Sequence, residues 1–527
     1  MRVLAWLLIA GSITAWNAAM SVGCAGSPPP AERLVFLRDA VIAPAGSGGR
    51  PLGDGRELVA ATWTPGVPTT LGGRTDPAPA RPECAPLFSV ELGDVRSLIA
   101  RGAEAPETAL AFSPDGDRLA VGTHRGELLV LDAWTGAILA RRRLAETMIK
   151  QVAWAADAAT IYAGEASPDA FVQALEPGDL STRWSVRLAD HVGSSPAPPD
   201  TDIYGVYTLP AAYALRVLAG GDLVVAGVHA WPGPDGQMQN RSRLLRLGPD
   251  GTTKAAWPAE GPADAVLRFP AVSGALMVVP LDRSAAGPPP DLPIGSVLAF
   301  DLDSMTPIAS FATEPLRPHF TSAAIWEALD VDAATGQVLS GFADGRVQLA
   351  PLGGVHRIER SLGAPILSGG VPIAAGVSWG RFVPGGLVTI TGTTNIPWGS
   401  QTTATRPPAT HPGESTVWMH DRAGEPVWTW HGEPSLHGLS ASPDGRRLVV
   451  GAGVRPTDQR RDLFGALVFR LDGAGSGADR LEVRCSTPSP VFFRHAVLDD
   501  GRIALSEVPW RLDDGAVAGA YRVTVLR

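Results

Sequence analysis

Ala111-Phe112-Ser113-Pro114-Asp115-Gly116, followed by Arg118-Leu119-Ala120-Val121-Gly122, is the stretch on which the reading of this chain turns. The same spelling returns as Ala441-Ser442-Pro443-Asp444-Gly445, followed by Arg447-Leu448-Val449-Val450-Gly451. Proline presets the turn backbone, aspartate hydrogen-bonds forward into the turn, and glycine supplies a positive φ. Each copy therefore predicts a hairpin between two apolar runs. Recurrence of one hairpin type far along the chain predicts a repeat architecture.

Working outward from the first copy, a four-strand cycle is predicted at Thr108 to Phe112, Arg118 to Gly122, Glu127 to Asp132 and Ala137 to Leu144. The first two strands are the most apolar, as strands covered on both faces should be. The cycle is read again near Gln151 to Leu188, Tyr213 to Ala259, Ala265 to Thr313, Ala324 to Leu362, Val377 to Trp430 and Leu436 to Cys485. The last stretch, Val491 to Arg527, holds only three strands. Leu87 to Leu92 stands ahead of the first cycle with no cycle of its own, so it is expected to pair with Arg522 to Leu526 and remove a bare sheet edge. This spelling and strand grammar resemble the Trp-Asp-repeat-like and quinoprotein-like β-propellers. The resemblance implies an all-β fold: one β-propeller of four-stranded antiparallel blades over 84–527, about eight blades or alternatively seven, closed by an N-terminal strand.

Composition agrees with many short strands. The 527 residues are 45% hydrophobic, with 60 glycines and 48 prolines, too apolar for a disordered chain and too rich in turn formers for a helical one. The formal net charge of -9 comes without a basic stripe, which argues against nucleic acid as a partner.

Residues 1–23 read as an export signal, with Arg2 as the charged start and Val3 to Ile13 as the apolar run. Ser21-Val22-Gly23-Cys24 resembles the lipobox of bacterial lipoproteins. That resemblance implies lipidation of Cys24, an outer-membrane-anchored lipoprotein facing the periplasm or the cell surface, and contact with the membrane only through that lipid. Residues 24–83 are then a proline-rich tether and an N-terminal extension, with possible strands at Arg33 to Leu37 and Glu57 to Thr62. Cys84 and Cys485 remain in an oxidising compartment. The strand register nevertheless places Cys84 at the start of one outer strand and Cys485 at the end of its neighbour's, on opposite rims. A six-residue strand spans roughly 20 Å against the about 7 Å that a disulfide tolerates, so two free thiols are expected.

The connections are lopsided. Between second and third strands the first unit needs only Thr123-His124-Arg125 and the fifth only Ala343-Asp344-Gly345. Elsewhere the same connection swells to Trp231 to Asn240, Arg283 to Gly295, Asn395 to Glu414, Arg455 to Phe464 and Trp510 to Ala520, and Asp190 to Pro210 is long as well. These connections share one face, which is the candidate binding face. Its candidate contact residues are Tyr204, Tyr207, Trp231, Trp398, Arg460, Arg461 and Trp510, of types that interfaces favour. The structural alternative is that the loops are variable and their aromatics fold back onto the rim.

Motifs for chemistry are sparse. Asp132-Ala133-Trp134-Thr135-Gly136 and Asp332-Ala333-Ala334-Thr335-Gly336 match the centre of the quinoprotein repeat, but Ala140 and Ser340 stand where its tryptophan should be. A hairpin turn explains both stretches equally well. His411, His420, His431 and His437 lack metal-ligand spacing. Neither a Cys-x-x-Cys-His haem site, a Gly-x-Ser-x-Gly elbow nor a phosphate-binding glycine loop occurs. The expectation is a non-catalytic module without cofactor or metal, binding a protein, peptide or glycan of the cell envelope. The alternative is an enzyme on the same fold, a quinone-dependent dehydrogenase or a metal-dependent lactonase-like hydrolase.

Overall fold

The computed structural model describes residues 50–51, 56–60, 84–95, 108–195, 208–233, 238–283, 296–312, 327–352, 357–368, 371–395, 410–453, 464–472, 475–512 and 515–527. The signal segment with Cys24, the predicted strand Arg33 to Leu37, and Tyr204, Tyr207, Trp398, Arg460 and Arg461 lie outside the described residues.

The two Ser-Pro-Asp-Gly turns form as their chemistry requires. Ser113 Oγ donates to Asp115 Oδ1 (2.5 Å), the same oxygen accepts the Asp117 N–H (3.1 Å), and Gly116, at φ +76°, donates its N–H to the Ser113 carbonyl (2.8 Å). Gly445 repeats this at φ +67°, with Ser442 Oγ donating to Asp444 Oδ1 at 2.6 Å. The serine hydrogen bond holds the Asp115 carboxyl below the usual aspartate range, so the turn aspartates are structural anions.

In the first unit this turn joins Ala109–Phe112 to Arg118–Gly122, and Glu127–Asp132 and Ile138–Arg143 complete an antiparallel meander. Among the described residues the pairings build eight such four-stranded units in chain order. Each joint between consecutive units is filled by one apolar cluster, because strand side chains alternate between faces. Leu119 and Val121 face the eighth unit's Ala504 and Val523, whereas Ala120 between them faces the second unit's Ile161 and Ala163. The same holds around the ring through the joints centred on Val172 and Leu215, Leu244 and Met277, Val297 and Leu329, Leu339 and Val377, Ile390 and Leu448, and Ala466 and Leu505. The eighth unit thus packs on the first, and the ring is closed. The fold is a β-propeller.

Closure follows the expected pairing. Pro86–Glu91 lies antiparallel to Arg522–Leu526, from Pro86↔Leu526 to Glu91↔Arg522, and supplies the outer strand that the eighth unit lacks. Phe88 of this strand crosses the seam onto Gly136 of the first unit, where a Cβ would stand 2.5 Å from the ring. In the N-terminal extension, the predicted strand Glu57 to Thr62 is found at Arg56–Ala60. It pairs in parallel with the fifth unit's outer strand Arg357–Ser361, covering another edge.

The two thiols are a correction. Cys84 and Cys485 are joined as a disulfide, with Cα atoms 5.1 Å apart, and pack between the seventh and eighth units beside Ala466, Val483 and Leu526. The expectation of opposite rims treated every strand as parallel to the propeller axis. Neighbouring strands rotate by about 20–25°, so an outer strand lies roughly 60–75° off its inner one. The end of one outer strand is thereby brought to the start of the next.

Removal of residues 1–97 should strip the closing strand and leave the eighth unit's Arg522–Leu526 edge bare. Size-exclusion chromatography with thermal melting is expected to show aggregation or loss of the cooperative transition; a monomer with unchanged Tm would contradict the closure. Peptide mapping without reduction should recover Cys84 and Cys485 in one linked species. Labelling of both thiols in the denatured, unreduced protein would contradict the pairing.

Candidate functional site

The innermost strands of the third to seventh units surround a cavity of about 580 Å³ on the face of the short first-to-second turns, opposite the enlarged rim. Inner strands of a propeller are covered on both faces and are expected to be apolar. Here they carry charge: Arg216 on Ala211–Val217, Glu327 and Asp330 on Glu327–Asp332, Arg381 on Val371–Val383, and Arg494 on the eighth unit's Val491–Val497.

Glu327 is the centre of this group. It accepts from Arg494 Nη1 at 3.0 Å and lies 3.9 Å from Arg216 Nη2, so one carboxylate ties the third, fifth and eighth units together. Burial alone would raise its pKa, but Arg494, Arg216 and Arg381 outweigh that and hold it down at about 2. Beside it, Glu327–Ala328 pairs in parallel with Trp379–Gly380, joining two inner strands directly. Asp330 accepts the N–H groups of Val331 (2.9 Å) and Phe382 (2.7 Å), pinning the fifth unit to the sixth; burial raises its pKa. At the cavity mouth Arg422 pairs with Asp332 (2.5 Å) and lies over the Phe382 ring.

The remaining sequence candidates take structural places. Asp132 Oδ1 accepts the N–H groups of Trp134 and Thr135 and the Thr135 hydroxyl, and Asp332 accepts from Ala334 and Thr335 likewise, so both quinoprotein-like stretches are tight turns. The four histidines do not converge. His411 Nε2 meets the Ala364 carbonyl (2.9 Å), His420 stacks on Trp418, His431 Nδ1 meets Thr416 Oγ1 (2.9 Å), and His437 packs on Phe492. Among the described residues no group of three or more His, Cys, Asp or Glu side chains is placed to hold a metal ion.

Of the rim candidates, Trp231 and Trp510 are described. Trp510 is 5% exposed, edge-on to Phe464 at 5.0 Å and against Gly519, so its place is in packing: the aromatic has folded back onto the rim. Trp231 stands differently. In the third unit the pairing of Leu223–Pro232 with Met238–Leu247 runs past the last inner-strand partner, Ala211↔Val228, through His229↔Arg241, Ala230↔Asn240, Trp231↔Gln239 and Pro232↔Met238. What reads in sequence as a loop is largely a two-stranded finger extending about 13 Å beyond its sheet. Half-buried Trp231 lies on it between His229 (4.7 Å) and the Arg241 guanidinium (5.1 Å), and His229 is braced by the Val192 carbonyl of the helix Ala189–Val192.

Against known proteins, the family model for the anaphase-promoting complex subunit 4 WD40 domain matches residues 97–157. Similar solved structures include the C-terminal WD40 domain of Sif2, at 11% identity and TM-score 0.48, covering 84% of this chain and 98% of that one. The computationally designed Ika8 protein is 14% identical with TM-score 0.47 and coverages of 80% and 96%. A chain of a mitotic checkpoint complex is 13% identical with TM-score 0.41 and coverages of 86% and 94%. No curated protein matches the chain.

The axial charges escaped the sequence reading because they form no motif. Their signal was positional: Glu327, Asp330, Arg381 and Arg494 interrupt runs that should be apolar. Replacing Glu327 by Gln would leave Arg216 and Arg494 facing each other uncompensated. A loss of roughly 1–3 kcal/mol is expected at neutral pH, discounted for partial exposure. Because the folded-state pKa is depressed, this contribution is present above the unfolded value near 4.5 and disappears as pH falls toward about 2. Melting curves of Glu327→Gln and the parent protein should therefore converge with acidification; a constant offset down to pH 3 would contradict the assignment.

Proposed function

We propose that this propeller is a non-catalytic binding scaffold, exported and held to the outer membrane by lipid on Cys24, that receives a protein, peptide or glycan of the cell envelope on its enlarged rim. The observation that carries the reading is the projecting finger of the third unit. Its buried rungs His229, Ala230 and Asn240 fix a tip that carries a half-buried large aromatic, Trp231, under the exposed guanidinium of Arg241. Trp and Arg are the side chains that most often dominate interface energies, and a short braced hairpin holds them with little ordering cost on binding. WD40 propellers commonly act as protein-interaction scaffolds, which supports the same class of function. The export signal and the Gly23-Cys24 junction support the location.

Crosslinking in the native envelope, followed by identification of the captured species, tests the reading. Trp231→Ala combined with Arg241→Ala should abolish a specific crosslink without changing Tm, and Cys24→Ser should move the protein from the membrane to the soluble fraction. Undiminished capture by the finger variant would contradict the assigned face. Unchanged membrane association and processing of Cys24→Ser would contradict the anchor.

A further inference from the structure

The opposite face holds a second site, set by the charge balance at the axis. Four guanidinium groups gather there, those of Arg216, Arg381, Arg422 and Arg494, against the carboxylates of Glu327, Asp330 and Asp332. Each carboxylate is already occupied: Glu327 by Arg494 and Arg216, Asp332 by Arg422, and Asp330 by the N–H groups of Val331 and Phe382. Arg216 also donates to the Pro270 carbonyl at 3.2 Å. Arg381 is the one of the four without a direct partner, although Glu327 and Asp330 attract it at longer range. It is exposed within the cavity lining, and among the described residues its side chain has neither a hydrogen bond nor an ion pair within 4 Å.

The surroundings of Arg381 narrow what it can take. A guanidinium presents paired N–H donors that match the two oxygens of a carboxylate. Four guanidinium groups against three carboxylates leave the group one net positive charge, which one negative charge matches. A phosphate dianion would leave excess negative charge beside Asp330 and Asp332. Half-buried Phe269 and Val272 give the otherwise mostly polar wall an apolar side, and a volume of about 580 Å³ lies within the range of small-molecule sites. We infer that the axial cavity binds a monoanionic carboxylate carried on an apolar body, such as an N-acylated amino acid or the C-terminal residue of a peptide, with Arg381 pairing to the carboxylate. This site is independent of the finger: it lies on the short-turn face and needs no rim residue.

Titration calorimetry on the full chain, with N-acetylphenylalanine, its neutral amide, a hexapeptide ending in phenylalanine, the same peptide amidated, and inorganic phosphate, tests the inference. The free acids should bind, the amides should bind at least about tenfold more weakly, and phosphate should not compete. Arg381→Gln should reduce the acids to the level of the amides while circular dichroism shows the ring still folded, and Arg381→Lys should retain part of the preference. Binding of both the capped amino acid and the hexapeptide acid assigns the site to small free acids as well as peptide ends; binding of the hexapeptide acid alone assigns it to a partner's C-terminus. Equal binding of acid and amide, an unaffected Arg381→Gln variant, competition by phosphate, or no binding by any acid at millimolar concentration would each overturn it.

Discussion

The backbone ladder between Pro86–Glu91 and Arg522–Leu526 is the constraint on which the rest of the molecule depends. A ring of sheets has no unsatisfied joint only if its last member meets its first, and chain ends meet across that joint only if one of them crosses it. Here the N-terminal strand completes the eighth unit, and the apolar joint between the eighth and first units is buried as fully as the others, with Leu119, Val121, Val523 and Val525 inaccessible to solvent. The disulfide from Cys84 ties the closing strand to the seventh unit as well, so the seam is held by hydrogen bonds on one side and a covalent link on the other.

A closed ring brings inner strands from distant parts of the chain to one axis. Arg494 and Glu327 are separated by 167 positions yet form an ion pair, and Arg216 approaches the same carboxylate from the third unit. Such a partly buried charge group costs desolvation, which pairing has to offset. Apolar residues would fill the same position at lower cost, so packing alone does not account for these charges. The two faces of the ring are thus chemically distinct. One carries extended connections and an aromatic finger, and the other opens into a charged cavity between tight turns.

Much of the fold was legible from residue order. The Ser-Pro-Asp-Gly turns specify hairpins through local hydrogen bonds, alternating apolar residues specify which strands are covered, and an unpaired strand at each end implies closure. The disulfide was not legible, because the accumulated twist that brings Cys84 to Cys485 is a property of the assembled sheet. The sequence of the third-unit finger reads as a loop, since Trp231 to Asn240 contains Pro232-Gly233-Pro234, although the ladder continues through Pro232↔Met238. Loop length and interface-favoured residue types point to Trp231 and equally to the buried Trp510. They do not point to Arg381, whose significance comes from the neighbouring charges that are already paired.

Amide hydrogen exchange on the full chain, read separately for Pro86–Glu91 and Arg522–Leu526, tests the closed ring most directly. Ladder amides shared by two strands of one closed sheet open together, so the amides of Pro86–Glu91 that donate to Arg522–Leu526 should be protected and should lose protection together with that strand as denaturant is added. Rapid exchange of those ladder amides while Arg522–Leu526 stays protected would contradict closure, and with it the geometry that assembles the axial site.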